Sequence, residues 1–196
     1  MKKIPTIFER DWNGDRSRVI DLPHKDCAWV FAGEGVATRK IDGTCCMIRD
    51  GRLYRRREMK QQQKPPSDFE AAEFDAETGK TVGWVPVGNG PEDKWHRAAL
   101  YSFNPDHYPD GTYELIGPHV QGGAEALDSP EERLVNHRDP RLMLGAVPRT
   151  FDALRAWLTD TDIEGIVFHH SDGRMAKIKL RDFGLMRRFT GTTPAP

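Results

Sequence analysis

The sequence predicts an α+β fold, mainly antiparallel sheet with flanking helices. Three observations predict it. Short β-prone runs are joined by the turn signals Asp50-Gly51 and Ser171-Asp172-Gly173, which read as hairpins. Helical signals are confined to two segments. No long-period repeat or low-complexity tract interrupts the alternation.

The elements follow in order. Residues 1–25 show little periodicity and read as an N-terminal arm with room for a short strand. Residues 26–190 read as one domain and 191–196 as a tail. Runs 28–31 and 36–41 predict strands, as do 44–48 and 53–57 on either side of Asp50-Gly51. Two prolines make 61–68 a loop, and 81–87 predicts a strand. Asn89-Gly90-Pro91 opens a helix running to Tyr101, with proline tolerated in its first turn. Tyr108-Pro-Asp-Gly111 is a turn, 112–116 a strand, 117–123 a glycine-rich loop and 134–137 a short strand. Thr150 can cap a helix to Leu158, because Phe151, Leu154, Trp157 and Leu158 recur at helical spacing. Strands 163–169 and 175–180 close the domain.

A chain of 196 residues suits one domain with a real core. Apolar runs are only a few residues long, so no membrane helix is expected, and the start lacks the apolar stretch of a signal peptide. Cys27, Cys45 and Cys46 form neither a disulfide framework nor a zinc spacing, so a reducing, cytoplasmic setting is expected. Lys+Arg 29 against Asp+Glu 30 excludes a general polyanion binder. The sum hides two basic segments. Arg49, Arg52, Arg55, Arg56, Arg57, Lys60 and Lys64 form one; Arg174, Lys177, Lys179, Arg181, Arg187 and Arg188 form the other. An acidic stretch with Asp68, Glu70, Glu73, Asp75 and Glu77 lies between them. Such runs are commonly solvated faces, but these adjoin the chemical motifs below.

The first motif is Lys40-Ile41-Asp42-Gly43. A lysine at a strand end before a tight turn can present its amine to a cleft and form a covalent intermediate. Alone, the tetrapeptide also fits a surface lysine beside a turn. Tyr113-Glu114-Leu115-Ile116-Gly117 and Glu164-Gly165-Ile166-Val167-Phe168 each put a carboxylate against an apolar strand. Ala176-Lys177-Ile178-Lys179-Leu180 puts two lysines on one strand face. Buried charges of this kind need counter-charges. Ion pairs across a sheet would satisfy them. So would a cleft in which carboxylates hold a divalent metal and lysines hold phosphates.

In this order the motifs resemble the covalent nucleotidyltransferases, the superfamily of polynucleotide ligases and mRNA capping enzymes. Lys40-Ile-Asp-Gly-Thr-Cys-Cys, Tyr113-Glu-Leu-Ile-Gly-Pro, Glu164-Gly-Ile-Val-Phe-His-His and Lys177-Ile-Lys-Leu-Arg-Asp-Phe look more closely like a small family of 5′-3′ RNA ligases found in eukaryotes, bacteria and viruses. The resemblance implies the nucleotidyltransferase, or ligase adenylation-domain, fold. It implies ATP as substrate, a lysyl-AMP and an adenylylated RNA as intermediates, and Mg²⁺ or Mn²⁺ as metal. The partner it implies is RNA with 5′-phosphate and 3′-hydroxyl ends, as in RNA repair. Lys40 matches the nucleophile, completed by Asp42 and Gly43. Arg55 or Arg57, which share one face, match the nucleotide-contacting arginine. Glu114 matches a ribose or metal contact and Glu164 the metal-binding carboxylate. Lys177 and Lys179 match the pair on the α-phosphate. DNA ends or a protein are alternative acceptors, and a non-catalytic nucleotide- or RNA-binding module is a further alternative.

The sequence departs from the wider superfamily in two places. Arg39 precedes the nucleophile where many ligases have an acid, and 141–147 holds no aromatic to stack on the base. No oligonucleotide-binding domain is expected after Arg188, which argues against a capping enzyme or large DNA ligase. Cys45 and Cys46 point to opposite strand faces, so at least one is expected in the core. His169 and His170 read as packing or surface residues, and Trp95, Trp157 and Phe151 as core. His119 and Gln121 could line a cleft, with nothing in the sequence to require it.

Overall fold

The computed structural model describes residues 4–76, 78–100, 108–125 and 129–188. Sheet in it is entirely antiparallel within the named strands, with a few short helices. The α+β class is therefore the observed one. No helix among the described residues is long and apolar enough to cross a membrane.

The described chain divides into two compact units. One is the continuous segment Asp42–Arg138. The other joins Ile4–Ile41 to the described residues from Asp139 onward.

The continuous unit carries a six-stranded sheet. Its strands are β4 (Thr44–Arg49), β5 (Arg52–Lys60), β6 (Glu70–Asp75), β7 (Lys80–Pro86), β8 (Gly111–Ile116) and β9 (Arg133–Asn136), in the order β6-β7-β5-β4-β8-β9. Asp50 and Gly51 both take positive φ between β4 and β5, the backbone that a tight hairpin needs. Strand β6 falls in the acidic stretch, which carries no strand signal in its residues. It lies at the sheet edge, and edge strands tolerate charge because one side stays in water. Pro91 begins a 3₁₀ turn that continues into α2 (Lys94–Leu100). The helix is described as far as Leu100, and its expected end at Tyr101 lies outside the described residues. Cys46, Ile48, Leu53, Ala99, Tyr113, Leu115, Val120 and Leu134 form this unit's core, with Trp95 packed against it.

The discontinuous unit carries β3 (Val36–Lys40), β10 (Met143–Leu144), β11 (Gly165–His169) and β12 (Met175–Lys179), ordered β10-β3-β11-β12. A hairpin of β1 (Phe8–Arg10) and β2 (Val19–Pro23) precedes them. Residues 4–25 are thus more than an arm of short-strand character: Ile7 and Phe8 are almost fully buried. Residues 28–31, expected as a strand, form the single helical turn α1 (Ala28–Phe31). An apolar run of four cannot distinguish strand from helix. A preceding 3₁₀ turn, with His24 Nδ1 accepting from the Asp26 N–H, sets the helical course. Helix α3 (Phe151–Thr161) starts after Thr150 and ends at Asp162, which takes the left-handed conformation. Thr150 occupies the N-cap position, but its side chain makes no capping bond. Leu154 and Leu158 face a core containing Val30, Ala37, Ile166, Phe168 and Ile178, with Phe151 and Trp157 packed against it.

Candidate functional site

Register decides which side chains of the discontinuous unit meet. Residue Gly165 of β11 pairs with Lys40 on one side and Lys179 on the other, and Val167 pairs with Thr38 and Lys177. Directly paired residues share a sheet face. Lys40, Lys177 and Lys179 therefore stand together, on the face opposite the buried Ala37, Ile166, Phe168 and Ile178. The glycine between Lys40 and Lys179 has no side chain to separate them.

Glu164 lies just before β11 and is buried. Its Oε2 accepts from Lys40 Nζ at 2.6 Å and its Oε1 from Lys179 Nζ at 2.6 Å. One carboxylate thus bridges two lysines. Burial raises the Glu164 carboxyl pKa, but the two ammonium groups outweigh it and hold the net value below the ordinary range. Among the described residues Lys177 Nζ has no such direct partner. Burial first, then the like charges of Lys179 and Lys40, push it down to about 8. Lys179 is also lowered, by burial first and then by the Lys40 charge, against the opposing pull of Glu164.

Two further groups frame the lysines. Lys177 donates its backbone N–H to Pro5 and accepts at its carbonyl from Ile7, so the N-terminal chain pins that point of β12. Asp182 is buried; Oδ2 accepts from the Lys179 N–H at 2.9 Å, and Oδ1 accepts from Arg10 at 2.8 Å. Sequence reading quoted Asp182 within a motif but gave it no part. Its pairing with Arg10, distant in sequence, explains why. Arg187 and Arg188 do not form a free basic strip. Their side chains donate to the Asp162 and Thr159 carbonyls at the end of α3.

In the continuous unit, Asp42 donates its N–H to Glu125, a buried carboxylate for which sequence offered no signal. Gly43 packs against β8: a Cβ there would strike the Leu115 carbonyl and come within 2.7 Å of Glu114 Cγ. Glu114 is buried, and Oε2 lies 2.9 Å from His137 Nε2, while His137 Nδ1 lies 3.0 Å from Thr112 Oγ1. His137 is a second residue that sequence reading missed. As donor to Glu114 it accepts from the Thr112 hydroxyl, which fixes the carboxylate's rotamer.

The arginines divide by face. Residue Cys46 pairs with both Arg55 and Tyr113, placing Arg55 and Arg57 on the core side. Met47 pairs with both Tyr54 and Thr112, so Arg56, two residues from Tyr54, shares a face with Glu114, two residues from Thr112. Arg55 is committed to an internal ion pair with the buried Asp93 at 2.7 Å. Alternation correctly grouped Arg55 with Arg57. It could not show which side faces Glu114.

The remaining residues are accounted for. Cys27 and Cys46 are buried and Cys45 partly so. His169 Nε2 lies 2.9 Å from Thr38 Oγ1, and His170 Nε2 2.8 Å from Glu34 Oε2. Among the described residues no cluster of three or more His, Cys, Asp or Glu side chains could hold a metal alone. Glu114 in the continuous unit and Glu164 in the discontinuous unit are each a hard oxygen donor.

No family model matches the chain. A mouse protein named RNA ligase 1 is 26% identical over 94% of this chain and 80% of its own length. A rat protein of the same name is 26% identical over 94% of this chain and 81% of its own. The chain is a distant relative of proteins named RNA ligase 1.

Proposed function

We propose that the protein is an ATP-dependent RNA ligase that joins 5′-phosphate and 3′-hydroxyl ends. The Lys40–Glu164–Lys179 cluster, with Lys177 beside it, carries the reading, because it places a lysine of the nucleophile motif among cations suited to phosphate. The distant RNA ligase relatives support the substrate class.

The Lys40 amine, once neutral, attacks the α-phosphorus of ATP. A nitrogen–phosphorus bond forms, the bond to the bridging oxygen breaks, and pyrophosphate leaves. Lys177 and Lys179 offset the charge on the α-phosphate. Loss of the Lys40 protons to solvent, before and during phosphoramidate formation, removes its charge and frees Glu164 Oε2. The RNA 5′-phosphate then attacks the same phosphorus, releasing Lys40 and forming a phosphoanhydride. In the last step the 3′-hydroxyl attacks the RNA phosphorus, forming the phosphodiester and expelling AMP. Positioning and charge stabilisation carry this chemistry. Glu164, beside the lysines, would hold Mg²⁺, which would supply charge neutralisation on the phosphates. Asp42 and Gly43 shape the nucleophile motif, and Glu114 takes the ribose or metal role.

Protein freed of bound AMP is incubated with α-labelled ATP and Mg²⁺ and run on a denaturing gel. A label that withstands base, is lost in acid and is absent from Lys40→Met is the expected result. No label from any nucleotide would sink the reading. RNA and DNA with 5′-phosphates then decide the acceptor, and joining of DNA alone would overturn the RNA assignment.

A further inference from the structure

The loop after β8 is shaped for a purpose that the ligase chemistry does not use. Gly117 adopts φ +147°, and its Cα approaches the chain just before β9. A Cβ there would lie 2.8 Å from Glu132 Cα and 3.0 Å from Glu132 N. Only glycine allows that approach. The Gly117 carbonyl then accepts from the Val120 N–H at 3.1 Å, and the buried Val120 anchors the turn in the core. His119 is held at the crest.

Glu132 clamps this histidine twice. Its Oε1 accepts from the His119 backbone N–H at 3.3 Å and lies 2.6 Å from Nδ1. The imidazole stacks on Trp95 with centroids 3.8 Å apart and planes inclined by 8°. Lys94 Nζ lies 4.2 Å from the Trp95 ring centroid. Trp95 itself rests on the core. One face of His119 is therefore covered and its Nδ1 edge engaged, yet the side chain is 53% exposed. Among the described residues His119 Nε2 makes no hydrogen bond, which leaves the outward ring face and the Nε2 edge to account for that exposure.

We infer that this outward face of His119 is a stacking platform for one nucleobase of single-stranded RNA. The inference rests on the RNA ligase reading for its ligand class. A rigid, level π-surface suits a base, and stacking on such surfaces tolerates any base. The open Nε2 favours a heteroaromatic partner over an aliphatic one. A base edge or its water can satisfy that nitrogen, whereas an apolar chain would bury it unpaired. Trp95, fixed by the core, removes the entropy that a free surface histidine would lose on stacking. The platform lies outside the lysine cluster, so it concerns how RNA is held.

The test measures binding of a short 5′-phosphorylated single-stranded RNA at fixed salt, and of the same RNA with an abasic residue walked through each position. The expected result is that His119→Ala weakens binding roughly tenfold or more while His119→Phe restores most of it. One abasic position should cost the unmodified protein a similar factor and cost His119→Ala little further. Unchanged binding by a folded His119→Ala, or indifference of the unmodified protein to every abasic position, would overturn the platform. If His119→Ala fails to fold, His119→Phe and the abasic scan on the unmodified protein decide. Labelling of Lys40 by ATP needs no RNA, so failure of the ligase reading is seen separately.

Discussion

Lys40 Nζ lies 2.6 Å from Glu164 Oε2, so the lysine of the nucleophile motif rests on a carboxylate. Lys179 holds the other oxygen of the same group. Glu164→Gln removes the counter-charge of both while leaving their positive charges in place. It is expected to lower stability by about 3 kcal/mol, the scale for breaking a buried ion pair from one side. Urea unfolding measures it. Lys40→Met combined with Glu164→Gln should recover part of the loss, because fewer buried cations then lack a partner.

Lys177 has its pKa lowered from 10.5 to about 8 by burial and neighbouring cations. Below pH 8 the group is charged in both states, and the full cost of holding that charge in the fold is present. Between about 8 and 10.5 the unfolded chain binds more protons, so this group's contribution to stability rises with pH. Lys177→Met is therefore expected to be more stable than the unmodified protein near neutrality, by up to about 3 kcal/mol. The difference should close as pH rises to about 10.5. Paired denaturation curves across that range check it, and a difference independent of pH would contradict the assignment.

Arg56 and Glu114 share a sheet face, whereas Arg55 is paired to buried Asp93. Arg55→Ala should chiefly destabilise, by about 3 kcal/mol, because Asp93 is left buried without its cation. Arg56→Ala should leave the unfolding midpoint nearly unchanged and slow lysyl-AMP formation by roughly tenfold. Labelling kinetics and urea midpoints on the two variants separate these effects. The opposite pattern would favour the proposed nucleotide contact by Arg55 or its face-mate Arg57.

Gly43→Ala would drive a Cβ into the Leu115 carbonyl and against Glu114 Cγ. A loss of about 2 kcal/mol is expected from overpacking, together with slower adduct formation from displacement of Glu114. Serine at the same position should be no better tolerated. An alanine variant with unchanged midpoint and labelling rate would show that β8 yields at no cost.

Much of the fold was legible where local chemistry is strong. The hairpin at Asp50-Gly51, the helix from Phe151 and the strands bearing Lys40, Glu114 and Lys177 follow from turn residues and periodicity. Strand β6 was hidden because an edge strand can be acidic, and α1 because four apolar residues carry no period. The lysine face of β12 was readable from alternation alone. That Lys40 joins it is a matter of register through Gly165, and no single-strand pattern contains register. The same limit concealed the side on which Arg56 lies. Glu125, His137 and Asp182 were missed for another reason: each acts through a partner distant in sequence.

The lysine cluster belongs to the unit interrupted by Asp42–Arg138. Strand β3 must wait for β11 and β12, which follow that whole segment, before its sheet can close. Closing so long a loop is entropically costly and tends to be slow, less so if the intervening segment has already become compact. Lys40 thus leaves the ribosome well before Glu164, and it spends the interval without the carboxylate that later holds it. Order of synthesis therefore makes acquisition of the face proposed to handle the nucleotide a late folding event. In refolding experiments, labelling by ATP should lag behind formation of the six-stranded sheet.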